Sequence, residues 1–446
     1  MLSSGGQFKG LRMNLVITRP AAPGETQPVK SLEKTMRARL QRLLARLGIA
    51  ATSQQDEDDL LDLAKTLLSL RGEASGPALA SALLDLYDAT PKDARQAFLE
   101  QLPQHFERDS KAIEAAFAKW QASRCEVDAI ALEEAIESPL SRLIRRMNLG
   151  PSGTSRLLRM REDVLAAKGP TPGMRALDDA FEDAFTAWFN VGLLELRAIR
   201  WDSPGELLER IIRYEAVHAI HGWDELRRRV QPADRRCYGF FHPQMKNDPL
   251  IFVEVALTRE IPRSIDTVTA SEREILWPHE AECAIFYSIS NCQDGLRGIP
   301  FGNYLIKRVV ELLRAELPQL KRFATLSPVP GFARWLESMT GKGAVIPSES
   351  ELAKLAAHYL TTARNPKGMV LDPVGRFHLG NGARLEAINT SADLSENGLR
   401  QSHGVMVNYL YDLDKIEANL FALSELKQVM ASKTVKDLAA SAILPA

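Results

Sequence analysis

The stretch 281–336, AECAIFYSISNCQDGLRGIPFGNYLIKRVVELLRAELPQLKRFATLSPVPGFARWL, decides the fold class. AECAIFYSIS is a β-rich run, and a Gly-rich turn follows over 293–302. NYLIKRVVELLRAEL carries apolar residues at helical spacing, RFATLS is a second strand, and SPVPGFARWL opens a second helix. Strand, turn, helix, strand, helix is an interleaving of α and β elements. At the turn, the N–H groups that begin the helix have no partner of their own, and glycines let a phosphate approach the backbone. Lys307 and Arg308 add positive charge one turn on. A tight connection alone would use the same glycines.

The β texture extends upstream. RRCYGFFHP (235–243) and PLIFVEVALT (249–258) flank the turn-like MKNDP and predict a hairpin. LLELRAIRW (193–201) predicts a strand. SPGELLERIIRYEAVHAI (203–220) predicts a helix, with Ser203 as its N-cap and Pro204 at its first position. His218 and His221 fall at its end, three residues apart. Downstream, His378 sits between Phe377 and Leu379 on a predicted strand leading to Asn381-Gly382, a hairpin-type turn.

Before residue 193 no strand is predicted. Residues 1–30, rich in Gly, Pro, Ser and Thr, read as a mobile arm. Helical windows follow at 31–48, 56–72, 77–88, 91–103, 108–122, 127–147, 153–168 and 173–191, separated by Thr90-Pro91, Gly150-Pro151 and Gly169-Pro170. The expected fold is therefore α+β. A flexible arm (1–30) leads into an all-α helical bundle (31–192), and a mixed-sheet domain (193–446) follows.

Composition sets the outer limits. The 446 residues are 45% hydrophobic and 25% charged, with a net charge of −1. That is ordinary for a globular protein and lacks the basic excess of a nucleic-acid binder. No run reaches the ~18 to 20 apolar residues of a membrane span. The first twenty residues lack an apolar stretch of secretory length, so the cytoplasm is the expected location. Cys125, Cys237, Cys283 and Cys292 lie far apart with no CxxC pair, and no HExxH occurs. Neither a zinc site nor a disulfide framework is expected.

Several blocks carry a resemblance. FYSIS (286–290), GNYLIKRVVELLRAELPQL (302–320), LSPVPGFARWL (326–336), FHLGNGARL (377–385) and HGVMVNYLY (403–411) resemble, in order, the malonyl-CoA decarboxylase family. LLRMREDVL (157–165), WDSPGELLERI (201–211), YEAVHAIHGWDELRRRV (214–230) and RRCYGFF (235–241) are weaker echoes. The resemblance implies an N-terminal helical domain used in self-association, hence a homo-oligomer (dimer or tetramer). It implies a C-terminal domain of GCN5-related N-acetyltransferase fold. It also implies that malonyl-CoA is the substrate and that Ser327 and His378 are catalytic, with Ser288 and Tyr411 lining the site. In the acetyltransferase pattern Q/R-x-x-G-x-G/A-x-x-L, Arg297, Gly302 and Leu305 match, and Arg297 with Gly302 would hold the CoA pyrophosphate. Pro300 replaces the first glycine and supplies no amide donor. Vertebrate members of the family have a glutamate in this turn that supports the histidine, and Pro300 cannot replace it.

The chemistry that would follow is simple. A malonyl thioester that loses carbon dioxide leaves its electrons as a thioester enolate, so the substrate is its own electron sink and no cofactor is implied. The protein must stabilise the enolate oxygen, worth about 10²- to 10³-fold per donor, and deliver a proton to carbon, worth about 10²- to 10⁴-fold. His378, with an ordinary pKa of about 6.5, suits the proton step. Ser327 would orient the malonyl carboxylate or the imidazole, and amides near 286–290 would face the oxyanion. Duller roles exist for the same residues. Ser327 before Pro328 could be only a helix N-cap, His378 a structural histidine and Tyr411 core. His218, His221 and His403 are read as structural. A serine nucleophile is a rival, without the G-x-S-x-G elbow. An acyl-CoA-dependent N-acyltransferase and a non-catalytic CoA-thioester sensor are the rival functions.

Overall fold

Helical spacing of apolar residues in the first half of the chain becomes helix. A computed structural model describes residues 53–69, 75–167, 169, 171–299, 305–341 and 343–444. The expected arm and the helix at 31–48 lie outside these residues. The helices are α1 (Ser53–Ser69), α2 (Gly76–Ala89), α3 (Lys92–His105), α4 (Ser110–Ser123), α5 (Glu126–Ile136), α6 (Pro139–Met147), α7 (Gly153–Leu165) and α8 (Pro172–Trp188). The window at 127–147 is two helices, because Ser138 caps a new one on the Ser141 amide with Pro139 at its first position. Leu83, Leu84, Phe98, Leu157, Phe181 and Phe185 pack the interior of this half. The α4–α5 pair differs: neither helix buries a residue.

Eight strands then form one mixed sheet, ordered β1-β2-β3-β4-β5-β8-β6 with β7 also on β8. The strands are β1 (Glu195–Ile199), β2 (Arg235–Phe241), β3 (Pro249–Thr258), β4 (Cys283–Asn291), β5 (Arg322–Thr325), β6 (Ser327–Pro328), β7 (Arg384–Asn389) and β8 (Met406–Leu410). The predicted β2–β3 hairpin is present, with Cys237 opposite Glu254. β3 is buried at nine of its ten positions, as a strand covered on both faces must be. Helices α9 (Gly205–Tyr214) and α10 (Trp223–Val230) cover one face through Leu208, Ile211 and Leu226 against Phe241 and Phe252.

β4 and β5 form the parallel pair, from Cys283–Arg322 to Phe286–Thr325. Helix α11 (Asp266–Thr269) lies between β3 and β4, and α12 (Leu305–Glu316) makes the β4–β5 crossover. The remaining helices are α13 (Phe332–Thr340), α14 (Glu349–Thr362), α15 (Pro373–Gly380), α16 (Glu396–Ser402), α17 (Ile416–Ser424) and α18 (Lys433–Ala440). A helical half followed by a mixed-sheet half is the α+β arrangement expected. No described helix is long and apolar enough to cross a membrane.

Local expectations fail in two places. The helix from 205 stops at Tyr214, because the Glu215 carboxylate accepts the Val217 and His218 amides and bends the chain. His218 and His221 therefore sit in a loop. His378 is in the last turn of a helix and not on a strand. The decisive signal was Asp372-Pro373: Asp372 is the N-cap and Pro373 fills N1.

Asp372 has no solvent exposure. One of its oxygens accepts the Gly375 amide at 2.8 Å, and the other accepts the Gly331 amide at 3.2 Å. Gly331 begins α13, so one carboxylate joins the segment after β6 to the helix bearing His378. A side chain at Gly331 has no space, since its Cβ would come within 2.3 Å of the Tyr359 hydroxyl. Removing the carboxylate in Asp372→Ala would leave two amides without acceptors. Denaturant titration should show a loss of about 1–3 kcal/mol, with Asp372→Asn losing less because it keeps an acceptor oxygen.

Candidate active site

β5 and β6, separated by Leu326, both pair with β8 in one register. Ala324 faces Leu410, and Ser327 faces Val407. Side chains alternate along a strand, so Thr325, Ser327, Tyr409 and Tyr411 share one face of this pairing. α15 lies over that face and lowers His378 onto it. The imidazole stacks on the Tyr409 ring, with centroids 4.6 Å apart and planes at 25°.

A line of hydrogen bonds crosses the ring. The Tyr411 hydroxyl is 2.8 Å from His378 Nδ1, and Ser327 Oγ is 3.1 Å from His378 Nε2. Ser327 donates its only proton to Thr325 Oγ1 at 2.8 Å, and that oxygen also accepts the Tyr409 amide at 3.1 Å. With that proton on Thr325, Ser327 is placed to accept from an Nε2–H. Nδ1 then accepts from Tyr411. All members are buried. Burial pushes the His378 pKa down to about 3, which favours a neutral imidazole in the free protein. The expectation of an ordinary histidine pKa is overturned by desolvation.

Ser327 is not a helix cap. It is paired in β6, and Gly331 occupies the N-cap of α13. Sequence reasoning singled out Ser327, His378 and Tyr411, which the fold brings together. It passed over Thr325 and Tyr409, although each lies two residues before a named residue, the spacing that puts side chains on one strand face.

Ser288 belongs to a second buried group. Its hydroxyl donates to the Glu215 carboxylate, with the nearer oxygen at 2.7 Å, and Ser290 donates to the same carboxylate at 3.3 Å. Across the β3–β4 register Ser288 faces Glu254, which pairs with Arg229 at 3.1 Å. Burial, with Glu215 nearby, pushes the Glu254 pKa up to about 7. β4 is irregular here, its register on β3 slipping between Phe286 and Ser288. Among the described residues, β4 and β5 pair no further than Phe286 and Thr325, so the two strands part beside Ser327.

The turn after β4 begins with a short 3₁₀ segment, Asp294–Leu296. The Arg297 side chain is largely exposed, with Asp294 3.9 Å away. Pro300 and Gly302 lie outside the described residues.

Comparison with known proteins places this geometry. The Malonyl-CoA decarboxylase C-terminal domain model matches residues 192–348 and 342–444, and the N-terminal domain model matches 106–189. The mitochondrial malonyl-CoA decarboxylase of Anser anser anser is 37% identical over 330 residues, covering 63% of this chain and 65% of its own length. The match therefore spans just under two thirds of that relative. The Mus musculus protein of the same name is 35% identical over 338 residues, 65% of this chain and 68% of its own. Among solved structures, malonyl-CoA decarboxylase from Rhodopseudomonas palustris is 47% identical with a TM-score of 0.80, covering 85% of this chain and 99% of that one. The Agrobacterium vitis structure is 46% identical with a TM-score of 0.81 over the same shares. The family models match part of the helical half and the whole of the sheet half, and the C-terminal model alone spans more than half of the sequence; the chain belongs to the malonyl-CoA decarboxylase family.

Proposed function

We propose that this protein decarboxylates malonyl-CoA to acetyl-CoA and carbon dioxide, with His378 giving the proton to the enolate and Ser327 orienting the imidazole. The observation that carries the reading is the buried Tyr411–His378–Ser327–Thr325 line beside the parting of β4 and β5. The bond between the α-carbon and the carboxylate breaks, its electrons pass into the thioester as an enolate, and the α-carbon takes one proton. Solvent supplies that proton through His378.

A neutral imidazole is the right resting state for this sequence of events. When the malonyl carboxylate arrives, its charge favours the imidazolium and draws a proton onto the ring. After carbon dioxide leaves, the enolate is the strongest base present and takes the proton. Tyr411 and Ser327 keep the ring oriented throughout. Ser288, engaged with Glu215, shapes the wall at the end of β4 without turning its hydroxyl to the chemistry. Arg297, exposed on the turn, and Gly302 are assigned to the CoA pyrophosphate.

Product analysis with purified protein tests the reaction: carbon dioxide and acetyl-CoA are expected from malonyl-CoA, in place of an acylated amine or no turnover. His378→Asn should lower kcat about 10²- to 10⁴-fold with little change in CoA affinity. Ser327 donates to Thr325, which opposes a nucleophilic role. Rapid-quench mass spectrometry of His378→Asn should accordingly find no acyl adduct on Ser327, and a stoichiometric adduct would replace this mechanism with a covalent one.

The pH dependence has a definite sign. The imidazolium is the donor, so rate falls as pH rises. The profile of kcat/KM reports the free protein, where burial holds the pKa to about 3, and that of kcat reports the complex, where the carboxylate raises it. The fall in kcat should therefore begin at a higher pH than the fall in kcat/KM. Coincident profiles would detach His378 from the proton step.

A further inference from the structure

Arg161, on α7 in the helical half, is fully buried. Its guanidinium makes four hydrogen bonds. Nε donates to Asp178 and Nη2 to Glu182, both at 2.8 Å and both acceptors on α8. Nη1 donates to two backbone carbonyls of the turn after β4, Gly295 at 2.8 Å and Arg297 at 3.0 Å. The planar fork of arginine suits this double task, which a lysine ammonium cannot reproduce.

Other contacts fix the same turn to the same helices. The Gly295 amide donates to the Glu162 carboxylate. Gly295 lies so close to α7 that a Cβ there would stand 2.3 Å from the Leu158 carbonyl oxygen. Gly298 has φ of +89°, and a Cβ on it would meet Glu182 at 3.0 Å. The first glycines of the turn thus serve close packing against α7 and α8. Direction follows from peptide geometry. In a trans peptide C=O and N–H point opposite ways, so the Arg297 carbonyl held by Arg161 turns the Gly298 N–H away from the helices.

We propose that Arg161 is a positioning residue of the CoA site. The helical half, through this guanidinium and the Gly295 and Gly298 contacts beside it, sets the direction in which the turn presents the Gly298 amide and the Arg297 side chain. The inference rests on the assignment of the turn to the CoA pyrophosphate. Misplacing a binding element by a small distance is costly, whereas the proton machinery stands on β6, β8 and α15 and does not touch Arg161.

The test uses the full chain, calorimetric titration with free CoA and steady-state rates with malonyl-CoA. Arg161→Lys should weaken CoA binding about tenfold and raise KM alike, with kcat within about twofold. Glu182→Leu removes one partner at a half-exposed position and should fold even if Arg161→Lys does not, with about threefold weaker CoA binding. A lowered Tm with unchanged CoA affinity in the folded variants would reduce Arg161 to a structural residue and overturn the proposal. Gly302→Val separates the two levels. If it weakens CoA binding while the Arg161 and Glu182 variants do not, this inference alone fails. If Gly302→Val leaves CoA binding unchanged, the assignment of the turn fails, and the inference with it.

Discussion

Ser327 faces Val407 across an antiparallel pair, and the site depends on that register. A slip of one residue would leave Thr325 and Ser327 on one face of the sheet and Tyr409 and Tyr411 on the other. Other bonds hold the register from the far side. Asn408 donates to the Thr325 carbonyl at 2.8 Å and accepts from Asn389 at 2.7 Å. The Tyr411 amide donates to the Phe323 carbonyl at 2.8 Å. Polar residues inside a core are costly unless paired, and here their pairing specifies one alignment.

The same economy governs the imidazole. Burying a charged ring would be expensive, and burying a neutral one with both nitrogens bonded is not. The hydroxyls on either side and the aromatic faces around them admit the neutral form and disfavour the imidazolium until a negative charge enters. Among the described residues, the buried Tyr409 hydroxyl and Asn381 Oδ1 have no hydrogen-bond partner.

Much of this was legible in the sequence where a pattern is local. The β2–β3 hairpin, the β4–turn–α12–β5 unit and the helices up to 188 announce themselves through periodicity and turn residues. The blocks around Ser327, His378 and Tyr411 mark residues that the fold brings into one hydrogen-bonded line. Local pattern misled at Phe377–Leu379, where three residues resemble a strand, because the helix was set by Asp372-Pro373 five residues upstream. It misled again after Tyr214, where a carboxylate ended a helix that spacing would continue. Thr325 and Tyr409 could have been found from strand alternation. Arg161 could not: its carbonyl partners in the turn are 134 and 136 residues away, and nothing in LLRMREDVL distinguishes a buried arginine from a surface one. The lowered pKa of His378 depends on burial, which composition cannot report.

The long separations carry a further meaning. Ser327 and His378 lie 51 residues apart, and the Tyr409 amide reaches across 84 residues to Thr325. Closing loops of that length costs chain entropy that only surrounding burial can offset. The hydroxyl–imidazole line therefore cannot form, or fray, as a local unit in the way that a hairpin or a single capped helix can. Its order is tied to the cooperative stability of the whole sheet half. A destabilised chain would lose the arrangement by unfolding a fraction of its molecules, while those still folded retain it intact.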